Sequence, residues 1–197
     1  MAGPPTGEPD LDALRRRLLP AEPPPAAASG GIPAAVLVPI VASPEGSYLV
    51  FTVRSSALGA HAGEVSFPGG RVEPGETTRD AALREAKEEL GIVPGSVDLL
   101  GTLPSAGTRV SGFHITPWVG ALALAGGSPP LLVPDPGEVA EVLRIPIHAL
   151  RAPGVRRVQR FILGPAVIHS PAFDVGQVTI WGATARILDK LLPLLVA

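Results

Sequence analysis

The residues best suited to chemistry in this sequence lie in one segment, residues 70–92, where three glutamates stand close together. Glu85, Glu88 and Glu89 occupy positions i, i+3 and i+4 of a predicted helix, so their side chains share one face. Three like charges this close repel one another unless a cation neutralises them. The spacing therefore predicts a divalent metal site, and its oxygen ligands favour Mg²⁺ or Mn²⁺.

The sequence also specifies the helix that must position these glutamates. Thr77 or Thr78 is suited to cap its N terminus, strong helix formers follow, and Gly91 is a typical C-terminal stop. Glu88 and Glu89 then fall in the last turn, where the helix dipole disfavours negative charge. Stability alone does not explain carboxylates there, although most glutamate clusters on helices are solvated acidic faces.

Two neighbouring features favour the metal site over a solvated acidic face. The pair Gly69-Gly70 follows a strand-like run and suits a backbone that turns tightly and approaches a ligand closely. Glu76 precedes the helix and Arg84 lies within it, so we expect the guanidinium to bridge to Glu76 and to orient the glutamates.

These residues together resemble the Nudix box, G-x5-E-x7-R-E-U-x-E-E-x-G-U, in which U is aliphatic. The box is matched by Gly70, Glu76, Arg84, Glu85, Ala86, Glu88, Glu89, Gly91 and Ile92. Among these, Ala86 is smaller than the usual aliphatic residue. So many specified positions at fixed spacing make a highly specific signal. The resemblance implies an α/β (α+β) Nudix fold, a three-layer α/β/α sandwich with a mixed sheet.

The resemblance also implies the reaction, which is hydrolysis of a nucleoside diphosphate linked to another group at its pyrophosphate bridge. Pyrophosphate is polyanionic and resists attack by hydroxide, so catalysis needs cations that neutralise charge and lower the pKa of a bound water. By the same resemblance, Glu85, Glu88 and Glu89 would bind the metal, with the Gly70 carbonyl oxygen as a further ligand.

Catalytic roles follow from the same resemblance. It assigns them to Glu85, Arg84 and Glu88, with Glu76 supporting the orientation of the metal ligands. The general base is left open between Glu85 and Glu138, and Glu85 is preferred. An exposed charge on an amphipathic turn is at least as good an explanation of Glu138.

The residues before the box resemble the extension found in coenzyme A pyrophosphatases, L-L-T-x-R-S/A-x3-R-x3-G-x3-F-P-G-G. Residues 49–70 read LVFTVRSSALGAHAGEVSFPGG and follow this pattern approximately. The resemblance implies cleavage of coenzyme A or its derivatives to 3′,5′-ADP and 4′-phosphopantetheine or its acyl form. The substrate loop would then be lined by Arg54, Ser55, His61 and Gly63.

One departure from this pattern keeps other substrates open. Gly59 stands where the pattern has a basic residue, and loss of that cation weakens contact with a substrate phosphate. The alternatives within the family are ADP-ribose, nucleotide sugars and damaged nucleoside triphosphates. A non-catalytic nucleotide-binding regulator ranks last, because all three glutamates of the box are present.

Hydrophobic periodicity predicts the elements that surround the box. Strands are expected at residues 34–41, 48–54, 97–102, 115–124 and 139–145, a hairpin at 155–168 and a C-terminal helix at 181–195. The Trp and Leu residues of that helix are expected in the core. Residues 1–32 are expected to form a Pro/Ala-rich N-terminal segment with a short docking helix at 10–19, and residues 33–197 the Nudix domain.

Composition and charge limit the binding partners and the cellular location that we expect for this protein. The formal net charge of −2 gives no case for nucleic-acid binding, and 46% hydrophobic content suits one folded domain with a small-molecule nucleotide substrate. No signal peptide or membrane span is evident, so we expect a cytoplasmic protein without a membrane partner, and a homodimer is left open. Arg156, Arg157 and Arg160 fit either a phosphate site or, more commonly, an exposed strand face.

Overall fold

The computed structural model describes residues 9–20, 31–43, 46–55, 63–107, 112–122, 124, 128–163 and 166–195. The described helices are α1 (Leu11–Arg17), α2 (Thr78–Leu90), α3 (Ile147–Leu150) and α4 (Gly182–Leu191), with 3₁₀ turns at Pro94–Ser96 and Leu192–Leu194. Within these ranges, no helix is long and apolar enough to cross a membrane.

Eight strands form the main sheet. They are β1 (Ile32–Val41), β2 (Tyr48–Arg54), β3 (Val65–Ser66), β4 (Gly69–Arg71), β5 (Val97–Thr102), β6 (Ala106–Gly107), β7 (Phe113–Leu122) and β8 (Val139–Pro146). The order is β3-β2-β1-β7-β5, with β4 also paired to β1, β6 to β7 and β8 to β2. The sheet is mixed, because β1 and β7 run parallel while the other pairs are antiparallel.

A smaller antiparallel sheet follows in the chain. Its strands are β9 (Arg156–Leu163), β10 (Ala166–Val175) and β11 (Val178–Ile180), in the order β11-β10-β9. The predicted hairpin is therefore confirmed in β9 and β10, which extend beyond the predicted range, while residues 164–165 of its turn lie outside the described residues. Helix α4 packs against β10 and links the two sheets through the core.

The central strand β1 shows how the layers form. Ala35 and Leu37 point to one face and pack in the cluster that contains the buried residues of α2. Val38 and Ile40 point to the other face, toward the buried residues of α1 and α4. Helices thus cover both faces of the mixed sheet, which confirms the predicted three-layer sandwich.

Helix α2 has the termini that the sequence predicts. Thr77, rather than Thr78, caps it, since the Thr77 hydroxyl accepts a hydrogen bond from the Asp80 N–H at 3.1 Å. Gly91 ends the helix in the left-handed conformation at φ +68°. Trp118 Nε1 of β7 donates to Thr78 Oγ1 at 3.2 Å, which fixes the start of α2 against the sheet.

The face of α2 that touches the sheet is made of small side chains. Ala81, Ala82 and Ala86 are fully buried there. Because alanine adds little bulk, the helix axis can lie close to the strands, and the short side chain at Ala86 suits this contact. The helix is thereby held against the sheet, with Glu85 and Glu89 beside the glycines of β4.

The position of Trp181 differs from the prediction. The sequence predicts Trp181 in the helix and the core, but it is 40% exposed and precedes α4 in an extended conformation, because Gly182 turns the chain at φ +68°.

Arg156 donates to Asp189 and Arg157 to Asp174, each at 2.5 Å, so these two arginines belong to ion pairs on the strand face.

Helix α1 docks on the sheet as predicted. Leu14 and Leu18 are buried in the core cluster of α4, while Arg15 pairs with Asp98 at 2.7 Å. Leu19 exchanges two backbone hydrogen bonds of 3.0 Å with Thr102 of β5. The boundary between an N-terminal segment and a domain at residues 32 and 33 stays a prediction.

The docking of α1 can be tested with two leucines. We expect Leu14→Ala to lower the free energy of unfolding by about 2–5 kcal/mol, because it opens a cavity in a fully buried site. Leu19→Ala is the matched control, since Leu19 is 46% exposed, and we expect a change within about 0.5 kcal/mol. Urea unfolding measures both, and equal small effects would show that α1 contributes no core packing.

Candidate active site

Arg84 of α2 connects the helix to β4 and to the loop before the helix. Its Nε donates to Glu76 Oε1 at 2.9 Å, and its Nη2 donates to Glu76 Oε2 at 3.1 Å and to the Arg71 carbonyl at 3.0 Å. This is the bridge to Glu76 that the sequence predicts. The hydrogen bond from Arg84 lowers the pKa of Glu76, and the Glu76 carboxylate in turn raises the pKa of Arg84.

The remaining nitrogen of Arg84 faces two of the three glutamates. Nη1 donates to Glu85 Oε1 and to Glu88 Oε2, each at 2.9 Å. The Glu88 side chain is 55% exposed and can turn in solvent, whereas that of Glu85 is largely buried. Within the described ranges, no three acidic or histidine side chains form a group ready to bind a metal ion. Glu85 and Glu88 are instead held by their hydrogen bonds with Arg84.

Glu89 has the most unusual environment of the three glutamates. It is only 7% exposed, and although the Gly69 N–H donates to its carboxylate, Oε2 has no hydrogen-bond partner among the described residues. Burial first, and then the charges of Glu85 and Glu138, raise the pKa of Glu89 to about 8. A solvated acidic face does not fit a glutamate in this position.

Glu85 lies against Gly70 of the glycine pair. Burial raises the pKa of Glu85, opposed by its contact with Arg84, and the charge of Glu138 adds to the rise. Thus the fold brings Glu85, Glu89 and Glu138 into one electrostatic cluster, although Glu138 is far away in the sequence and itself exposed.

The glycine pair of β4 allows the backbone to approach both β1 and α2. A Cβ on Gly69, at φ +157°, would lie 2.6 Å from the Val36 Cα, a distance that side chains do not tolerate. A Cβ on Gly70 would overlap the Glu85 carboxylate. Glycine at both positions therefore brings backbone atoms of β4 directly against the carboxylates, as the close approach inferred from the sequence requires.

These groups form one end of a cavity of about 860 Å³. Its carboxylate end is lined by Arg54, Glu64, Gly69, Gly70, Arg71, Glu85, Glu89 and Glu138. The C-terminal elements contribute a second set of lining residues, called here the C-terminal end: Phe161, Ile168, His169, Ser170, Trp181, Gly182, Ala183, Thr184, Arg186, Ile187 and Lys190.

The predicted substrate residues differ in whether they line the cavity. Arg54 lines the carboxylate end, and its charge opposes the rise in the pKa of Glu89. Ser55 is buried and is not among the residues that line the cavity, and its backbone N–H donates to the Glu138 carbonyl at 2.8 Å. Gly63 is exposed and outside the residues that line the cavity, while His61 lies outside the described residues, as does Gly59.

Several lining residues were missed by the sequence analysis. The Arg71 guanidinium lies over the Phe113 ring, 5.4 Å from its centre, and Phe161 lies 6.1 Å from Trp181 between ring centres. These residues come from strands far apart in the chain. No local spacing signals them, and only the pairing of the strands brings them to one cavity.

Comparison with known proteins identifies the family of this chain. The NUDIX domain family matches residues 31–163, which is more than half of the chain. "Nudix hydrolase 3" of Caenorhabditis elegans is 43% identical over 115 residues, which are 58% of this chain and 48% of that protein. The chain thus spans about half the length of this relative.

A bacterial relative matches over more of its length. "Uncharacterized Nudix hydrolase NudL" of Klebsiella pneumoniae (strain 342) is 39% identical over 169 residues, 80% of either chain. Among solved structures, a MutT/nudix family protein from Enterococcus faecalis has the same fold, with a TM-score of 0.56 at 16% identity over 92% of this chain and 66% of that one. The chain, with its box on α2 and its mixed sheet, belongs to the NUDIX family.

Proposed function

We propose that this protein is a divalent-metal-dependent pyrophosphohydrolase, and that its substrate is coenzyme A or a coenzyme A derivative. The observation that carries the hydrolase assignment is the buried Glu89 carboxylate, which has an unpartnered oxygen beside Glu85 at the end of a large cavity. The relatives named above are hydrolases by name, which supports the same reaction class.

The donor groups fit a hard divalent cation. Glu89 Oε2 is a buried oxygen without a hydrogen-bond partner in the described structure, and a like-charged cluster surrounds it. Such an oxygen is costly unless a cation or a proton satisfies it. Glu85, Glu88, Glu89 and the Gly70 carbonyl would bind Mg²⁺ or Mn²⁺, since all four offer oxygen. Glu88 would reach the ion by releasing its exposed contact with Arg84.

The chain's own groups can then be assigned roles in hydrolysis. When bound, a divalent ion neutralises the pyrophosphate and acidifies a water. The water oxygen forms a bond to one phosphorus atom, the bond from that phosphorus to the bridging oxygen breaks, and the second phosphate leaves with the electron pair. Glu85 is the preferred acceptor of the water proton, because burial raises its pKa toward the range of an effective base. Glu138, which lines the same end, is the alternative base.

Arg84 would act as a positioning residue. Its bidentate contact with Glu76 and its bond to the Arg71 carbonyl fix the guanidinium, so that Nη1 remains directed at Glu85 and Glu88. Removal of Arg84 would therefore disturb the orientation of the carboxylates as well as their charge balance.

Coenzyme A is proposed from the segment before the box and from the room in the cavity. Arg54 of that segment lines the carboxylate end, as expected for a group that binds a substrate phosphate. A cavity of about 860 Å³ has space for more than a pyrophosphate. Gly59 supports the second candidate, a Nudix pyrophosphohydrolase for ADP-ribose or a nucleotide sugar, because a basic residue of the coenzyme A pattern is missing.

A substrate panel tests the proposal. Coenzyme A, acetyl-coenzyme A, ADP-ribose, NADH and nucleoside triphosphates are incubated with Mg²⁺ or Mn²⁺, and products are identified by mass spectrometry. We expect 3′,5′-ADP and 4′-phosphopantetheine, or its acyl form, from the coenzyme A substrates. Preference for ADP-ribose would discard coenzyme A and keep the reaction class, while no turnover of any substrate would favour a regulator.

The role of Glu88 is tested by an isosteric substitution. We expect Glu88→Gln to lower kcat by about 100-fold or more, because it removes a charged ligand, with little change in thermal stability, since the side chain is exposed. The matched control is Glu141→Gln on β8, an exposed glutamate outside the residues that line the cavity. Near-normal activity of Glu88→Gln would contradict the assignment of this residue.

The crowded carboxylates also predict how stability depends on pH. The pKa of Glu89 is about 8 in the folded protein against an ordinary 4.5, so the folded state binds the extra proton between these values. The stability that protonated Glu89 contributes is therefore complete below pH 4.5, and it is lost as the pH rises to about 8. The slope is at most about 1.4 kcal/mol per pH unit.

Urea unfolding of the metal-free protein across this pH window measures the slope. We expect Glu89→Gln to flatten the slope, because the amide cannot ionise. At the alkaline end of the window, we expect added Mg²⁺ to raise the free energy of unfolding of the wild type more than that of this variant. Equal slopes in the two proteins would show that the Glu89 carboxyl is not strained by its neighbours.

A further inference from the structure

The C-terminal end of the cavity contains the N terminus of α4. The first residues of this ten-residue helix, Gly182, Ala183 and Thr184, line the cavity together with the N-cap residue Trp181. Within the described chain, Trp181 provides no side-chain hydrogen bond to the helix. The first N–H groups of a helix lack partners inside the helix, and its dipole favours an anion there.

Ser170 provides a second, independent sign of a ligand at the same place. It is 5% exposed, it lines the cavity, and its Oγ has no hydrogen-bond partner among the described residues. A buried hydroxyl without a partner is unfavourable, because it has lost its hydrogen bonds to water, and a bound acceptor or donor would restore one. The hydroxyl is the kind of group that binds a phosphate oxygen.

Ser170 lies on the sheet that leads into α4. Strand β11, which pairs with β10, leads through Trp181 directly into α4, and α4 packs against β10. Along β10, Ser170 shares a strand face with Ile168, whose partner on β9 is Phe161. The Phe161 ring is 6.1 Å from the Trp181 ring, so this face of the hairpin borders the helix N terminus.

The charge of this end is positive. Arg186 and Lys190 line the wall one and two turns beyond the start of α4, and none of the described lining residues from 161 onward is acidic. Arg186 Nη2 donates to the Gly107 carbonyl at 2.8 Å, and Lys190 donates to the carbonyls of Pro104 and Ser105. Burial and the charge of Arg186 lower the pKa of Lys190, as expected where cations are crowded.

We propose that the N terminus of α4, Ser170 Oγ and Arg186 form a subsite for a phosphomonoester of the substrate, separate from the pyrophosphate. The ring pair of Phe161 and Trp181 beside it gives the attached nucleoside an apolar surface. This inference rests on the proposed function and selects, within it, nucleotides that have a phosphate on the ribose as well as a pyrophosphate. Coenzyme A has such a group, while ADP-ribose and 3′-dephospho-coenzyme A lack it.

The proposal is tested by comparing coenzyme A with 3′-dephospho-coenzyme A, which differ by the one phosphate. We expect the wild type to prefer coenzyme A, and Ser170→Ala to lower the ratio of the two kcat/KM values by about tenfold, the effect of one hydrogen bond to a charged group. Ser66→Ala is the matched control. Its hydroxyl lies 3.1 Å from Thr52 Oγ1, so it already has a partner, and the ratio should not change.

A second variant separates binding from folding. Ala183→Asp introduces a carboxylate in the first turn of α4, which the helix dipole tolerates or favours, so the thermal midpoint should not fall. The same carboxylate would repel a phosphate, and we expect it to remove the preference for coenzyme A. A preference that persists in both Ser170→Ala and Ala183→Asp would overturn the subsite.

A binding measurement keeps the subsite testable if hydrolysis fails. Calorimetry with metal-free protein compares 3′,5′-ADP with 5′-AMP, and we expect tighter binding of 3′,5′-ADP that Ser170→Ala weakens by about tenfold. No turnover together with this binding difference would overturn the proposed hydrolase and retain the subsite. Equal binding of the two nucleotides would overturn the subsite, whatever the enzyme hydrolyses.

Discussion

The crowding of carboxylates at the end of α2 is the constraint on which the rest of this structure depends. Glu89 is buried with one oxygen unpartnered in the described structure, Glu85 lies beside it, and Glu138 adds a third negative charge. A protein that only had to be stable would not keep this arrangement, because desolvation and repulsion both act against it. The divalent cation proposed above would neutralise these charges.

Other features of the fold serve to hold these carboxylates in place. The alanine face lets α2 lie close to the sheet, and Thr77 and Gly91 fix where the helix begins and ends. The glycine pair brings β4 against Glu85 and Glu89 without side chains between them. Arg84 offsets part of the negative charge by donating to Glu85 and Glu88, while Glu89 lines the cavity. Each of these features has a small energetic effect by itself, and together they preorganise the site.

The carboxylate end of the cavity contains Glu64, Glu85, Glu89 and Glu138 together with Arg54 and Arg71, whereas the C-terminal end contains cations and a helix N terminus without an acidic residue among the described lining residues. A nucleotide whose pyrophosphate meets metal at the acidic end, and whose second phosphate meets the basic end, would match both ends at once. Charge at two separated points also discriminates among substrates that share a pyrophosphate, since the family's box itself specifies only the reaction. The specificity of this chain is therefore to be sought in the C-terminal elements as well as before the box.

The sequence predicted the parts of this protein that depend on local spacing. The limits of α2, the contact between Arg84 and Glu76 and the main strands follow from periodicity and capping, and the structure agrees with them. It did not predict Trp181 at a cavity wall, because a tryptophan before an amphipathic helix normally packs in the core. Ser170 gave no signal at all, since its burial and its neighbours result from strand pairing between β9, β10 and β11.

Crystals soaked in Mn²⁺ would show whether the carboxylates around Glu89 bind a divalent cation. Anomalous diffraction at the manganese edge locates the ion without assumptions about turnover. We expect a peak within coordination distance of Glu89 Oε2 and Glu85, with Glu88 turned toward it and away from Arg84. A peak bound elsewhere, or a map without one while Glu89 remains unpartnered, would show that these carboxylates do not form a metal site.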